Sequence, residues 1–325
     1  MNKTLITEKL TAVSSLRIGV IGDLMLDTYT YGRVERISPE APIPIMQIES
    51  EMAVLGGAGN VYANLATLGV NTIMMGSVGA DTLGIKLIDL LLTDTGKAVP
   101  HHIVVDRNKP TINKQRIVAG TQQLLRIDTE DTRALDDALT DTLIAGIPVY
   151  FAGVTAICVA DYGKGFMTKR LAEAIIAYGT TNHIPVVVDT KPKNIDFYHH
   201  CTLMTPNEGE LMQMTVSGTV AERAQALARV TDSNVLVTRG GHGMLYADVR
   251  NDATNFSLPS FATDVRDVSG AGDTVVAFAV VGLALGLGMQ DAVTLANHAA
   301  AVSVSKPHTA VVTVAELIAK LTAAE

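Results

Sequence analysis

The sequence predicts an α/β protein built on a mainly parallel sheet with helices on both faces. Short runs rich in Val and Ile alternate with longer helix-like runs along the 325 residues. Glycine clusters such as Gly56-Gly57 and Gly270-Ala271-Gly272 stand where helix-like runs begin. An apolar content of 48% is ample for one large core, so a single unit over 1–325 is expected.

The first strand is RIGVIGD (17–23), an apolar run closed by Gly-Asp. After Gly57, AGNVYANLATLG (58–69) has the small and apolar residues of a close-packed helix, stopped by Gly69. A strand at 71–79 and a helix across 81–92 follow. Further strands are expected at 149–153, 156–161, 185–190, 202–207 and 234–240. From Ala271 two helical stretches run in succession, with a last one from Val314. Two segments break the alternation. Residues 36–50 carry three prolines and a period-2 pattern at Ile43, Ile45 and Ile48 that slips by one. Residues 111–128 read as a hairpin turning near Ala119-Gly120. Proline-bearing strands belong at edges, so these two segments are expected to form a small accessory sheet, a lid.

Composition excludes several functions. Trp is absent, aromatics are 4% and net charge is −8, which argues against nucleic acid and anionic membranes as partners. Lys3, Glu8 and Lys9 leave no early apolar region for a secretory signal. The longest apolar run, 275–289, falls short of the roughly 18 residues a span needs. Cys158 and Cys201 lie in strand-like contexts and read as small core residues of a reduced compartment. A cytoplasmic protein is expected. The pairs His101-His102 and His199-His200 abut strands and read as edge residues, not metal ligands.

Familiar phosphate loops are missing. No G-x-x-x-x-G-K-[ST] occurs, and each of the five G-x-G triplets lacks the third glycine of the dinucleotide fingerprint. There is no G-x-S-x-G and no H-E-x-x-H. An anionic ligand must therefore be held by local cations or by backbone N–H groups.

Gly270-Ala271-Gly272-Asp273 supplies such groups. At a helix N-terminus the first N–H groups have no internal partner and carry the positive end of the dipole. Almost bare of side chains, they let an anion approach closely. A carboxylate beside that spot repels a ground-state phosphate but suits a base that takes a proton from an attacking hydroxyl. Taken alone, Asp273 also fits a plain first-turn helix acid.

Three motifs together go further. Asp267-Val268-Ser269-Gly270-Ala271-Gly272-Asp273 resembles the C-terminal signature of the ribokinase-like (PfkB) carbohydrate kinases. Gly56-Gly57-Ala58-Gly59-Asn60 resembles their N-terminal signature, and Asn207-Glu208-Gly209-Glu210 their N-x-x-E motif. All stand in family order and spacing. The resemblance implies a three-layer α/β/α ribokinase-like fold with a small β-sheet lid, and ATP and Mg²⁺ as cofactors. It implies Asp273 as general base and Gly270, Ala271 and Gly272 as the anion hole. Asp23 to Tyr29, Arg36 to Pro42, Lys109-Pro110-Thr111, Gln122 to Arg126 and Asp161 to Gly165 resemble one subgroup. These are the D-glycero-D-manno-heptose 7-phosphate kinases of lipopolysaccharide inner-core synthesis, which phosphorylate O1 to give the 1,7-bisphosphate. Many are fused to a nucleotidyltransferase, and this chain resembles the stand-alone form or the kinase half.

By the same resemblance, Asn207, Glu208, Gly209, Glu210, Lys191, Thr238, Gly240, Gly243 and Asn297 serve ATP. Asn207 and Glu210 act on Mg²⁺ through water. Read as residues alone, Asn207 and Glu210 equally suit a capped helix start, Lys191 a surface lysine, and Gly240 with Gly243 a hairpin turn. Asp27, Gly56, Gly57 and Asn60 are expected to hold sugar hydroxyls. Lys114, Arg116, Arg126 and Lys164 are the cations available for the 7-phosphate, and the sequence does not choose among them. His298 and His308 depart from the subgroup's pattern where adenine contacts are expected. Exposed lid edges suggest a homodimer, and a separate nucleotidyltransferase is an expected functional link. A kinase of another sugar and a non-catalytic sugar-binding regulator are the rival readings. Intact Asp273, Gly272 and Glu210 weigh against the regulator.

Overall fold

The computed structural model describes residues 3–93 and 101–323; residues 1–2, 94–100 and 324–325 of the expected unit lie outside the described residues. Helix α1 (Lys3–Leu10) buries Ile6 and Leu10 and leads into β1 (Arg17–Gly22). Strands β2 (Leu24–Ile37) and β3 (Pro44–Gly57) then make a long hairpin, and α2 (Ala58–Thr67) follows directly. Next come β4 (Asn71–Gly79), α3 (Thr82–Thr93) and β5 (His101–Asp106). Strands β6 (Ile112–Ala119) and β7 (Gln122–Thr129) form a second hairpin, turning where Ala119-Gly120 is expected to turn. The chain continues through α4 (Asp137–Tyr150), β8 (Ala156–Asp161), α5 (Lys169–Thr181), β9 (Val186–Thr190) and β10 (Leu203–Met204). Helices α6 (Glu208–Met214) and α7 (Val220–Thr231) lead to β11 (Asn234–Thr238), β12 (Met244–Ala247) and β13 (Phe256–Leu258). The last helices are α8 (Ala271–Ala284), α9 (Met289–Ser303) and α10 (Val314–Thr322).

Among the described residues nine strands form the large sheet in the order β13-β12-β11-β10-β9-β8-β1-β4-β5. It is parallel from β11 to β5, with β12 and β13 added antiparallel at one edge. Alternate side chains feed two cores, as a period of two requires. Val20, Cys158, Val187 and Leu236 pack with α1, α2, α8, α9 and α10, whereas Ile21, Val159, Val188 and Val237 pack with α4, α5 and α7. This is the expected three-layer arrangement. Both cysteines are buried. No helix among the described residues is long and apolar enough to cross a membrane.

The second sheet has the order β3-β2-β6-β7. It contains the expected segments 36–50 and 111–128 but starts at Leu24 and ends at Gly57 on its first hairpin. Residues 36–50 hold the turn between the two long strands rather than a strand of their own. The missing halves are buried at Leu24, Met25, Leu26 and Leu55, so they read as a continuation of the core. Two other expectations are corrected. Residues 149–153 are not a strand. Leu143, Ile147 and Phe151 fall four apart on the buried side of α4, Asp136 caps that helix, and Val149 is 75% exposed. At 202–207 only Leu203–Met204 pair as a strand, with an isolated bridge from Asn207 to Thr238.

Candidate active site

The site lies at the C-terminal ends of β1, β8 and β9, where the first turn of α8 meets α2. Gly270 precedes α8 with φ +75°, a left-handed conformation that favours glycine. A Cβ there would stand 2.6 Å from Asn60 Nδ2 and 2.8 Å from Thr309 Cγ2. A Cβ on Gly272 would meet nothing within 4 Å. The two glycines answer different needs: Gly270 admits Asn60, and Gly272 keeps the mouth of the helix open. Ala271 N–H donates to Val268 O at 3.2 Å, so Gly272 and Asp273 supply the first-turn N–H groups without a helical partner.

Asp273 forms the wall beside them and is 7% exposed. Asn60 Nδ2 donates to its Oδ2 at 2.6 Å, and the Tyr162 hydroxyl donates to Oδ1. Burial pushes the Asp273 carboxyl up to about 7; Asn60 pulls it down, the Asp27 charge pushes it up and Lys114 pulls it down. A carboxylate poised near neutrality suits general-base work. Asn60 is itself fixed, since its side chain is buried and Asn64 Nδ2 donates to its backbone O at 3.0 Å.

One face of the small sheet looks toward this carboxylate. Asp27 stands level with Lys114 and Asp128, and Tyr29 with Arg116 and Arg126, so strand periodicity puts all six on one face. Arg116 Nη1 donates to Asp27 Oδ1 at 2.6 Å, and its guanidinium lies 5.2 Å from the Tyr29 ring centre. Arg126 pairs with Asp128 at 2.8 Å and Lys164 with Glu130 at 2.5 Å. Lys114 is half-buried and makes no ion pair among the described residues; burial holds its pKa below the usual lysine value. Gly56 lets Asp27 in, because a Cβ would sit 2.4 Å from Asp27 Oδ2. Gly57 has φ +57°, and a Cβ would sit 2.7 Å from Asp23 O. Both glycines thus answer contacts within the protein.

On the other side of Asp273 a cavity of about 190 Å³ is lined by Tyr162, Lys191, Glu210, Thr238 and Gly272. Asn207 caps α6: its Oδ1 accepts from Glu210 N at 2.9 Å while Glu210 Oε2 accepts from Asn207 N at 3.0 Å. The second Glu210 oxygen meets Lys191 Nζ at 2.5 Å, and that ammonium lies 5.2 Å from the Tyr162 ring centre. Burial opposes the Lys191 charge, but Asp189 and Glu210 more than offset it and raise its pKa. Glu208 pairs with Arg239 at 3.2 Å, and Gly209 leaves space beside Asn207 Oδ1.

Several expected adenine-side residues have other contacts. Gly243 is required by the turn, since a Cβ would stand 2.0 Å from Leu258 O; Gly240 has φ +53° in the same turn. Asn297 is buried and donates to Pro259 O at 2.8 Å, tying α9 to the chain after β13. His298 is fully buried and stacks on Phe261 at 4.1 Å; its burial, with the Lys3 and Lys320 charges, drives its pKa down to about 4. His308 has its Nε2 3.3 Å from the Tyr31 hydroxyl and its N–H donates to Asp267, so it contacts the small sheet. Sequence reasoning missed three residues. Tyr162 touches Asp273, and Asp189 lines the cavity with its pKa pushed by burial to about 7. Asp23 Oδ atoms accept the N–H groups of Tyr162, Lys164 and Phe166 at 2.8–3.1 Å and hold that loop in place. Their signal is an acid or tyrosine at a strand's C-terminal end, in Gly22-Asp23, Asp161-Tyr162 and Val188-Asp189.

The chain belongs to the pfkB family of carbohydrate kinases, whose sequence model matches residues 16–315. It is 42% identical over 309 residues to the bifunctional protein HldE of Azorhizobium caulinodans, covering 94% of this chain and 64% of that one. It is 38% identical over 316 residues to the D-beta-D-heptose 7-phosphate kinase of Bordetella bronchiseptica, covering 95% of this chain and 97% of that one. The chain thus spans about 64% of the length of the bifunctional relatives it matches. The fold is similar to phosphofructokinase-2 from Escherichia coli in complex with substrates and products, with TM-score 0.74 at 18% identity, over 95% and 98% of the two chains. A ribokinase from Thermotoga maritima matches with TM-score 0.69 at 19% identity, over 94% of this chain and 99% of that one.

Proposed function

We propose that this chain transfers the γ-phosphoryl group of ATP to the anomeric O1 of D-glycero-D-manno-heptose 7-phosphate, giving the 1,7-bisphosphate. The observation that carries the reading is Asp273, a buried carboxylate near neutral pKa set between open first-turn N–H groups and a cation-bearing sheet face. The likeness to the Bordetella bronchiseptica kinase over nearly all of both chains supports the choice of sugar.

Asp27 and Asn60 hold sugar hydroxyls, and the cations of the small sheet, with Lys164 beside it, receive the 7-phosphate. The small sheet acts as a lid. Asp273 takes the proton of the O1 hydroxyl as O1 bonds to the γ-phosphorus. The bond from that phosphorus to the bridging oxygen breaks and ADP leaves. The N–H groups of Gly272 and Asp273 stabilise charge on the transferring group, and Lys191 faces the phosphates. Asn207, Glu210 and Asp189 are hard oxygen donors around one cavity, a set that fits Mg²⁺ bound through few protein ligands and several waters. Bound there, Mg²⁺ would neutralise phosphate charge.

The same reading places the enzyme in the cytoplasm, in ADP-heptose synthesis for lipopolysaccharide, beside a nucleotidyltransferase that uses its product. Edge strands β3 and β7 expose Ile48, Leu125 and Ile127, and a homodimer through the lids would cover them. Sedimentation as a monomer at micromolar concentration would end the dimer reading.

ADP release from ATP and Mg²⁺ across a panel of sugars and sugar phosphates, with ³¹P NMR of the product, tests the assignment. Turnover confined to the heptose phosphate, an O1 product and collapse in Asp273→Asn are expected. Preference for another sugar would keep the kinase and overturn the substrate. Sugar binding with no turnover would favour the regulator.

A further inference from the structure

Both oxygens of Asp273 carry donors: Asn60 on Oδ2 and the Tyr162 hydroxyl on Oδ1. A base must offer a lone pair to the hydroxyl it deprotonates, and a donor already held by that oxygen competes for its electrons, so the reaction is favoured if one donor can withdraw. Asn60 is not that donor. It is 1% exposed and faces Gly270 so closely that a Cβ there would collide with its amide. Tyr162 is half-buried, lines the cavity and projects from a loop whose backbone Asp23 pins from behind. Its backbone is fixed, while its side chain borders open volume and can turn.

We propose that Tyr162 is a positioning residue that caps Asp273 and yields its place to the acceptor hydroxyl when the sugar enters. The inference rests on Asp273 being the base. It assigns Tyr162 a further task, which is to keep the base from water. Uncapped, Asp273 would take a proton from water as the water oxygen bonds to the γ-phosphorus and the bond to ADP breaks. ATP would then be hydrolysed to ADP and phosphate without product. The Lys191 ammonium over the same ring ties the phosphate side of the site to this movement.

The test is ADP release from ATP with no sugar present. Tyr162→Phe keeps the ring beneath Lys191 and removes only the hydroxyl. We expect sugar-free hydrolysis to rise about 10-fold or more, a fraction of what a general base contributes. Adding Asp273→Asn should abolish the rise, and KM for the sugar phosphate should fall in Tyr162→Phe because no phenol competes for Oδ1. Unchanged sugar-free hydrolysis in folded Tyr162→Phe would overturn the proposal. The native enzyme gives a second reading that does not depend on the variant folding. A 1-deoxy analogue of the sugar phosphate, lacking the acceptor hydroxyl, should leave hydrolysis at its basal rate. Strong stimulation by the analogue would overturn the cap. Full turnover of the heptose phosphate by Asp273→Asn would instead sink the base itself. An inactive Asp273→Asn beside a silent Tyr162→Phe would sink the cap alone.

Discussion

Asn60, in the first turn of α2, and Asp273, in the first turn of α8, lie 213 residues apart in the chain and share a hydrogen bond of 2.6 Å. The contact joins the two glycine-rich signatures into one device. Gly270 makes it possible, because any side chain at that position would occupy the space of the Asn60 amide. The amide donates to the ionised carboxylate and so opposes the effect of burial.

Asn60→Ala should therefore move the base further from its ordinary pKa. Without the donor, the Asp273 pKa climbs above about 7, and the acid limb of the kcat–pH profile moves to higher pH. At pH 7 we expect roughly a 10-fold loss in kcat, the scale of one hydrogen bond to a charged group. A profile with an unmoved acid limb would contradict this role for Asn60.

The two glycines of the α8 mouth should separate stability from activity. Gly270→Ala meets Asn60 and Thr309 and strains a backbone of φ +75°, so it should cost about 1–3 kcal/mol and most of the activity. Gly272→Ala meets nothing, so its melting temperature should stay within a degree or two of native. Its methyl group still narrows the mouth, and KM for ATP should rise with kcat falling. Equal losses of stability in both variants would refute the distinction.

Stability should fall as pH rises from about 4 to about 7. Burial raises Asp23, Asp189 and Asp273 each from 3.8 to about 7. The folded protein holds these protons more tightly than the unfolded chain does. The cost of each buried charge is absent below about pH 4, grows between about 4 and 7, and is complete above 7. Asp273→Asn removes one such charge and should raise stability at pH 8 by about 1–3 kcal/mol while leaving stability near pH 4 almost unchanged. Denaturant titrations at the two pH values measure this.

Much of this arrangement is legible in the sequence. The alternation of Val- and Ile-rich runs fixes the parallel sheet, because strands buried on both faces need continuous apolar stretches. The glycines at 56–57 and 270–272 mark where helices start. The small sheet was only half legible, because Leu24, Met25, Leu26 and Leu55 are as buried as core strands. Residues 149–153 misled because Val and aromatic residues favour strands, whereas the buried spacing from Leu143 to Phe151 is helical. Tyr162 and Asp189 stayed hidden for a different reason. Their roles depend on β8 and β9 ending side by side, a long-range relationship that local pattern does not encode.

The four cations offered to the 7-phosphate can now be ranked by what already holds them. Arg126 and Lys164 are paired with Asp128 and Glu130, and Arg116 with Asp27. Lys114 makes no ion pair among the described residues and sits on the same sheet face as Asp27. Lys114→Ala should therefore raise KM for the heptose 7-phosphate by roughly 10–100-fold, the scale of a lost charged hydrogen bond, and leave KM for the unphosphorylated heptose unchanged. Arg116→Ala should impair both sugars alike, since its guanidinium orients Asp27 and its loss leaves that buried carboxylate uncompensated. Arg126→Ala and Lys164→Ala should change KM by only a few-fold, because each leaves an acid that water can solvate. Steady-state kinetics on the paired sugars decide the ranking. If Lys114→Ala lowers both sugars equally while Arg126→Ala abolishes the preference for the phosphorylated one, the phosphate is held at the outer strand and the ranking is reversed.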